Sequence, residues 1–470
     1  MQLCLQFSVY TKVNLKPYFK MRRIYSYLFV LVSVITISSC SKQDVEPTVA
    51  STEQENLIVA GKCKSTSSIV ATEWMQLIRT IVQSEGKNPP QASRIYAYSA
   101  IGLYEATVPG MGGYRSLENQ IPGLVNLPRM KNFSQIDFTL AANEVLFQIS
   151  SKIFVSLKQT NMDAVEALRK KYMDAAIQNL RPKQITETLD FAQKVALAVI
   201  NRADNDNFAS TRALVYIVPS NILNPSYWTP TGAVTIPVEP YWGTLKCFSM
   251  ANGAACTIPS TIPFSTTPSS DFYNQAADVV SITSTLTQGQ KDIANWWADG
   301  GGTPTPPGHW IGIASNIANA KQMSLESAAE MYAKLNIAMA DAFISCWNEK
   351  YRINLLRPLS YIRTYIPGQS TWSSYIPTPP FPEYPSGHSV ASGAASNVLT
   401  NILGSFPFTD STNKVFGYAP RNYNSFFDAA NEAAMSRLYG GIHFREAIEK
   451  GLLQGKEVSK ALDMNIRFRR

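Results

Sequence analysis

Eight prolines divide this chain near its middle: Pro219, Pro225, Pro230, Pro237, Pro240, Pro259, Pro263 and Pro268. Proline removes a backbone donor and clashes with the preceding helical turn, so no helix can run through residues 204–270. Trp228, Tyr241 and Trp242 lie among them. The stretch is expected to be a long irregular insertion with short strands at most. In a compact protein such stretches commonly form lids or rims.

Both flanks carry helical periodicity. Upstream, Trp74, Met75, Leu77, Ile78, Ile81 and Val82 give one apolar face, and Ala92–Ala106 a second. A Gly/Pro loop covers Gly110–Leu127, and Phe138–Leu157, Met162–Ile177 and Ile185–Ile200 follow as helices. These five are expected to form an N-terminal bundle over 71–203. Downstream, Phe272–Ile282, Gln288–Ala298, Leu325–Leu356, Val390–Leu403, Phe426–Tyr439 and Arg445–Leu462 are expected to build a second bundle over 271–470. The fold class is therefore all-α: two packed helical bundles with an irregular Pro-rich insertion. Apolar content of 45% and charged content of 16% exclude a disordered chain and a multi-span membrane protein.

Residues 1–39 are expected to be an upstream extension plus a signal peptide starting at Met21. Arg22-Arg23 precede an apolar run from Ile24 to Ile37, too short to span a bilayer. Ile37-Ser38-Ser39-Cys40 resembles a bacterial lipoprotein processing site, and Ser41-Lys42-Gln43-Asp44 the surface-export tag of some lipoproteins. Cys40 would carry the lipid, and residues 40–70 would be anchor and tether. The expected location is the outer membrane or cell surface, with the periplasm as the fallback. Removing 1–39 takes the 42 basic residues to 37, against 34 acidic ones. The basicity is thus mostly leader and does not point to nucleic acid. Cys247 and Cys256 are the expected disulfide in an exported chain, and no spacing suits zinc.

The chemistry concentrates late in the chain. Lys350 and Arg357 lie seven residues apart, near two helical turns, and are expected on one helix face that Pro358 ends. Pro385-Ser386-Gly387-His388 opens a helix of small residues. Its backbone N–H groups, a hydroxyl and a glycine suit a bound anion. Arg437 adds a third cation, and Gly440-Gly441 lets His443 turn back toward it. The chain has three histidines, and two of them fall in these stretches. Together they read as a site for a tetrahedral or trigonal-bipyramidal oxyanion.

Lys350-x6-Arg357-Pro358, Pro385-Ser386-Gly387-His388 and Ser436-Arg437-x5-His443 resemble the signature of the vanadium-dependent haloperoxidase / type 2 phosphatidic acid phosphatase superfamily. The resemblance covers about the last 120 residues. It implies vanadate, or phosphate, ringed by Lys350, Arg357, Ser386, Gly387 and Arg437. In the haloperoxidase chemistry His443 ligates vanadium and His388 is the acid–base group, with hydrogen peroxide and halide as substrates. Trp347 and Phe381 resemble an aromatic pair beside the halide. Asp299 is the candidate acid supporting His388 and an arginine, and His309 reads as structural. The alternative is an exported acid phosphatase acting on phosphate esters, with His443 as nucleophile and His388 as general acid. A non-enzymatic anion-binding lipoprotein is a third reading, which an intact His388 opposes. The chain lacks the apolar spans of membrane phosphatases. Family members often place an Asp four residues after the second histidine; here Ala447 stands there, and Glu446, Glu449 or a backbone carbonyl would have to orient His443. Halide preference and oligomeric state stay open.

Overall fold

The computed structural model describes residues 61–470, apart from Lys131 and Ala233. The expected leader, the anchor at Cys40 and most of the tether lie outside the described residues. Residues 61–70, expected as part of the tether, belong to the fold instead. Cys63 is buried on a one-turn helix, and the backbone at Thr66 and Ser68 hydrogen-bonds across to Leu325 and Met323.

Helices dominate. The first block comprises α1 (Ile69–Ser84), α2 (Pro89–Thr107), α3 (Phe138–Ile153), α4 (Gln159–Asn179) and α5 (Pro182–Asp204). The second comprises α6 (Asp271–Ser284), α7 (Gln288–Trp296), α8 (Thr305–Ala320), α9 (Leu325–Ile353), α10 (Pro358–Tyr365), α11 (Gly387–Leu403), α12 (Phe426–Tyr439) and α13 (Arg445–Asn465). Residues 204–270 hold one short helix and one 3-10 turn among irregular backbone. No helix among the described residues is long and apolar enough to cross a membrane.

The 29-residue α9 is the shared wall. It packs against α2 on one side and α11 on the other, and one hydrophobic core runs from Cys63 to Phe468 across both blocks. A smaller apolar cluster joins α6, α10, α12 and the start of α13 through Phe272, Tyr361, Leu438 and Phe444.

The α11–α13 crossing is tight because it is lined by glycine. A Cβ on Gly393 would meet the Leu452 carbonyl at 2.3 Å, and one on Gly455 the Val390 carbonyl at 2.1 Å. Only backbone without side chains can approach this closely. Ser386 N–H also donates to the Ala447 carbonyl at 3.1 Å. The start of α11 is thereby pinned to the start of α13.

Several expectations need correction. Their spacing predicts Lys350 and Arg357 on one helix, but α9 stops at Ile353, after which Asn354 adopts a left-handed φ of 55°. Leu355 then bridges to Tyr227, and Arg357 stands at the N-terminal cap of α10 instead. Helix α8 is not among the helices expected from periodicity, and Pro304, Pro306 and Pro307 stand at its start. Proline is tolerated in a first helical turn, where its missing N–H is not needed. His309 therefore sits on a helix. A two-stranded hairpin, β1 (Phe408–Asp410) with β2 (Arg421–Tyr423), was also not anticipated. The expected Cys247–Cys256 disulfide is absent, and both thiols are free. Sequence spacing carries none of the Cα and Cβ geometry a disulfide requires. Burial instead holds the Cys247 thiol far above its ordinary pKa.

Candidate active site

Three elements converge on one cavity of about 670 Å³, lined by Trp347, Phe381, Gly387, His388, Arg437, His443 and Asp299, among others. α11 contributes Gly387 and His388 from its first turn. The α12–α13 corner contributes Arg437 and His443: α12 ends at Tyr439, and Gly441 turns the chain with φ 72°. α9 contributes Trp347, whereas Lys350 of the same helix is buried outside the cavity lining.

His443 is buried and held on both sides. Its Nδ1 lies 2.8 Å from Glu383 Oε1, and its Nε2 lies 3.1 Å from Arg357 Nη1. A guanidinium can only donate, so Nε2 is the acceptor and Nδ1 carries the proton. Burial, then the Arg357, Lys350 and Arg437 charges, keep His443 well below its ordinary pKa, and the ring is neutral. Glu383 also accepts Phe444 N–H at 2.9 Å, while burial pushes it up to about 7 against Arg357 and Lys350.

Glu383 thus replaces every orienter expected from the sequence. Glu446 instead accepts hydrogen bonds from Ser260 and Thr261, and Glu449 is exposed. Glu383 lies sixty residues upstream, so no local spacing exposes the pairing. The available signal was an acid in an otherwise uncharged Pro/aromatic run ending at Pro385-Ser386-Gly387-His388.

The cations are fully buried, and most of their donors are committed. Lys350 Nζ donates to the carbonyls of Pro382 at 3.0 Å, Glu383 at 2.9 Å, and Pro385. Desolvation lowers it to about 7. Arg357 donates to the carbonyls of Phe381 at 2.8 Å and Ile442 at 2.9 Å, and its Nη2 is buried with no partner. Arg437 is tied to Ser436 Oγ at 2.8 Å and to the Trp297 carbonyl. Burial lowers each arginine to about 10. Ser386 caps α11 through a 3.4 Å bond from Ser389 N–H. A Cβ on Gly387 would lie 3.3 Å from the Trp347 ring.

His388 contrasts with His443. Its side chain is 16% exposed, and its Nε2 has no hydrogen-bond partner. Asp299 Oδ2 lies 4.0 Å away. Burial and the Arg437 and His309 charges hold His388 well below its usual pKa. Asp299 itself is gripped by His309 Nδ1, 3.0 Å from each carboxylate oxygen. Trp347 and Phe381 pack together with ring centroids 5.1 Å apart and border the cavity. The Trp347 Nε1–H donates to Val238 at 3.0 Å, so the insertion braces this wall.

The fold and site define a helical-bundle protein that gathers three buried cations about a neutral histidine. Residues 330–467 match the family described as the VCPO second helical-bundle domain. A solved structure of a bacterial vanadium-dependent iodoperoxidase is 32% identical, with a TM-score of 0.80, and the match covers 86% of this chain and 98% of that one. The chain belongs to the vanadium-dependent haloperoxidase family. A holo bacterial vanadium-dependent chloroperoxidase shares the fold at 16% identity and TM-score 0.58, covering 90% of this chain and 98% of that one. Vanadium chloroperoxidase of Curvularia inaequalis is 25% identical over 167 residues, which is 25% of this chain. The chain spans about a quarter (27%) of that curated relative's length.

Proposed function

We propose that this protein oxidises halide with hydrogen peroxide, using vanadate held at His443. The observation that carries the reading is the His443 ring: neutral, proton fixed on Nδ1, and its Nε2 lone pair among three buried cations. That is the form a metal-ligating imidazole requires.

The residues fit the group. Arg357 Nη2 is a buried donor without a partner, and Gly387 keeps a side chain out of the space under Trp347. Arg357, Ser386, the Gly387 backbone and Arg437 would hold the vanadate oxygens. Lys350, its donors spent on carbonyls, would contribute charge. When bound, vanadate supplies a Lewis-acidic centre that activates peroxide for halide oxidation to hypohalous acid. His388 Nε2 would take the proton peroxide gives up in the cavity and return it as water leaves. Asp299 would stabilise the cation formed there, and Trp347 and Phe381 would wall the halide position.

Iodide is the first halide to test, because a relative 32% identical over 86% of this chain is an iodoperoxidase. Cys40 would tether the enzyme to the outer membrane or cell surface.

The test is peroxide-driven oxidation of iodide, bromide and chloride by the purified protein, with and without vanadate. Vanadate-dependent iodide oxidation is expected. Phosphate monoester hydrolysis in the absence of vanadate, with no halide oxidised, would overturn the reading in favour of an acid phosphatase.

A further inference from the structure

We propose that His309 is a positioning residue: held as a doubly protonated imidazolium between Asp299 and Asp410, it fixes the Asp299 carboxylate opposite His388 Nε2. The catalytic consequence rests on the haloperoxidase reading, whereas the clamp itself rests on geometry alone.

Both ring nitrogens face carboxylate oxygens. Nδ1 lies 3.0 Å from each oxygen of Asp299, and Nε2 lies 2.8 Å from Asp410 Oδ2. A neutral imidazole has one N–H and would turn a lone pair toward one of these acceptors. The arrangement is satisfied when both nitrogens carry protons. The ring is buried and stacked on Trp297, with centroids 4.2 Å apart and planes 19° apart. Asp410 is fixed in turn by Thr412 N–H at 2.9 Å.

The charged neighbours support this. Asp299 comes from the connection after α7 and Asp410 from β1. Arg79 of α1 and Arg437 of α12 act on this cluster, and His388 of α11 faces it. Burial disfavours the His309 charge, but the two carboxylates outweigh it and raise the ring to about 10.

The grip on both Asp299 oxygens has a consequence for His388. Once His388 Nε2 has taken a proton, a free carboxylate beside it would rotate to hydrogen-bond distance, roughly 2.7–2.9 Å, and lock that proton. His309 instead holds Asp299 Oδ2 at 4.0 Å from His388 Nε2. At that separation the carboxylate stabilises a transient charge on His388 without binding its proton.

The chain has three histidines, so a histidine-15N-labelled protein without vanadate gives three assignable rings. His309→Gln, His388→Gln and His443→Gln variants assign them. His309 is expected to show both nitrogens protonated at pH 8, with a lower titration midpoint in Asp410→Asn. A singly protonated His309 at pH 8 would overturn the clamp. In His309→Gln, kcat for iodide oxidation is expected to fall about 10-fold or more. Vanadate affinity by equilibrium dialysis, and KM for peroxide, should stay within about twofold. Vanadate affinity falling together with kcat would mean a merely structural role. Should His309→Gln not fold, Asp410→Asn, which keeps an acceptor for Nε2–H, serves in its place with a smaller kcat loss. Absence of halide oxidation by the wild type would sink the enzymatic reading, and the NMR result would still decide the clamp.

Discussion

The two histidines facing the cavity are each paired with a carboxylate, and the pairings differ in one respect. Glu383 touches His443 at 2.8 Å, whereas Asp299 stands 4.0 Å from His388. On the first side a short bond fixes tautomer and ring orientation and leaves Nε2 as a permanent lone pair. On the second, the carboxylate is restrained by His309, and the histidine nitrogen is left without a partner. A ligand must not move its proton, and an acid–base group must. On the proposed roles, the distance from histidine to carboxylate would set which is which.

The comparison can be broken most forcefully at His388. His388→Ala is expected to lower kcat for halide oxidation by roughly 10²–10⁴-fold, the usual range for losing a general acid–base group. Steady-state kinetics at saturating vanadate would check this, and an unchanged kcat would remove the role. Glu383→Gln should act on the other side, weakening vanadate binding by about 10–100-fold, as loss of a ligand's hydrogen-bond partner typically does. Equilibrium dialysis against vanadate reads it directly. Both sides depend on the α11–α13 crossing: His388 lies in the first turn of α11 and His443 just before α13. Gly455→Ala would push a methyl into the Val390 carbonyl and should cost about 1–3 kcal/mol of stability. Chemical denaturation measures that loss, and vanadate affinity should weaken with it. The smallest effect concerns pH. His309 has its pKa raised to about 10 from an ordinary 6.5. The stability it contributes is therefore fully present below pH ~6.5 and lost as pH rises through about 10. The thermal stability advantage of the wild type over His309→Gln should shrink across that window and be constant at lower pH.

How much of this was legible in the sequence follows the same division. The residues expected at the anion site are grouped in three short stretches, and their chemistry stands out: Lys350 and Arg357, Ser386 to His388, and Arg437 with His443. The fold puts Gly387, His388, Arg437 and His443 on one cavity and buries Lys350, Arg357 and Ser386 outside its lining; Arg357 arrives by a route other than the expected single helix, because Asn354 takes a left-handed turn. The all-α architecture was legible from periodicity, and the Pro-rich segment from its composition. The supporting residues were not legible. Glu383 reaches His443 across sixty residues, and Asp410 reaches His309 across 101. Pairings of that kind are made by packing and leave no local pattern. Helix α8 was hidden for the opposite reason: its prolines are a strong local signal of a break, yet they fall where a helix begins.

The most direct test of the central claim is vanadate binding, measured by equilibrium dialysis, for wild type, His443→Ala and His388→Ala. If one histidine holds the anion and the other moves the proton, His443→Ala should lose binding while His388→Ala keeps it near the wild-type value. Equal losses in both variants, or binding that survives in His443→Ala, would contradict the division of roles on which the account rests.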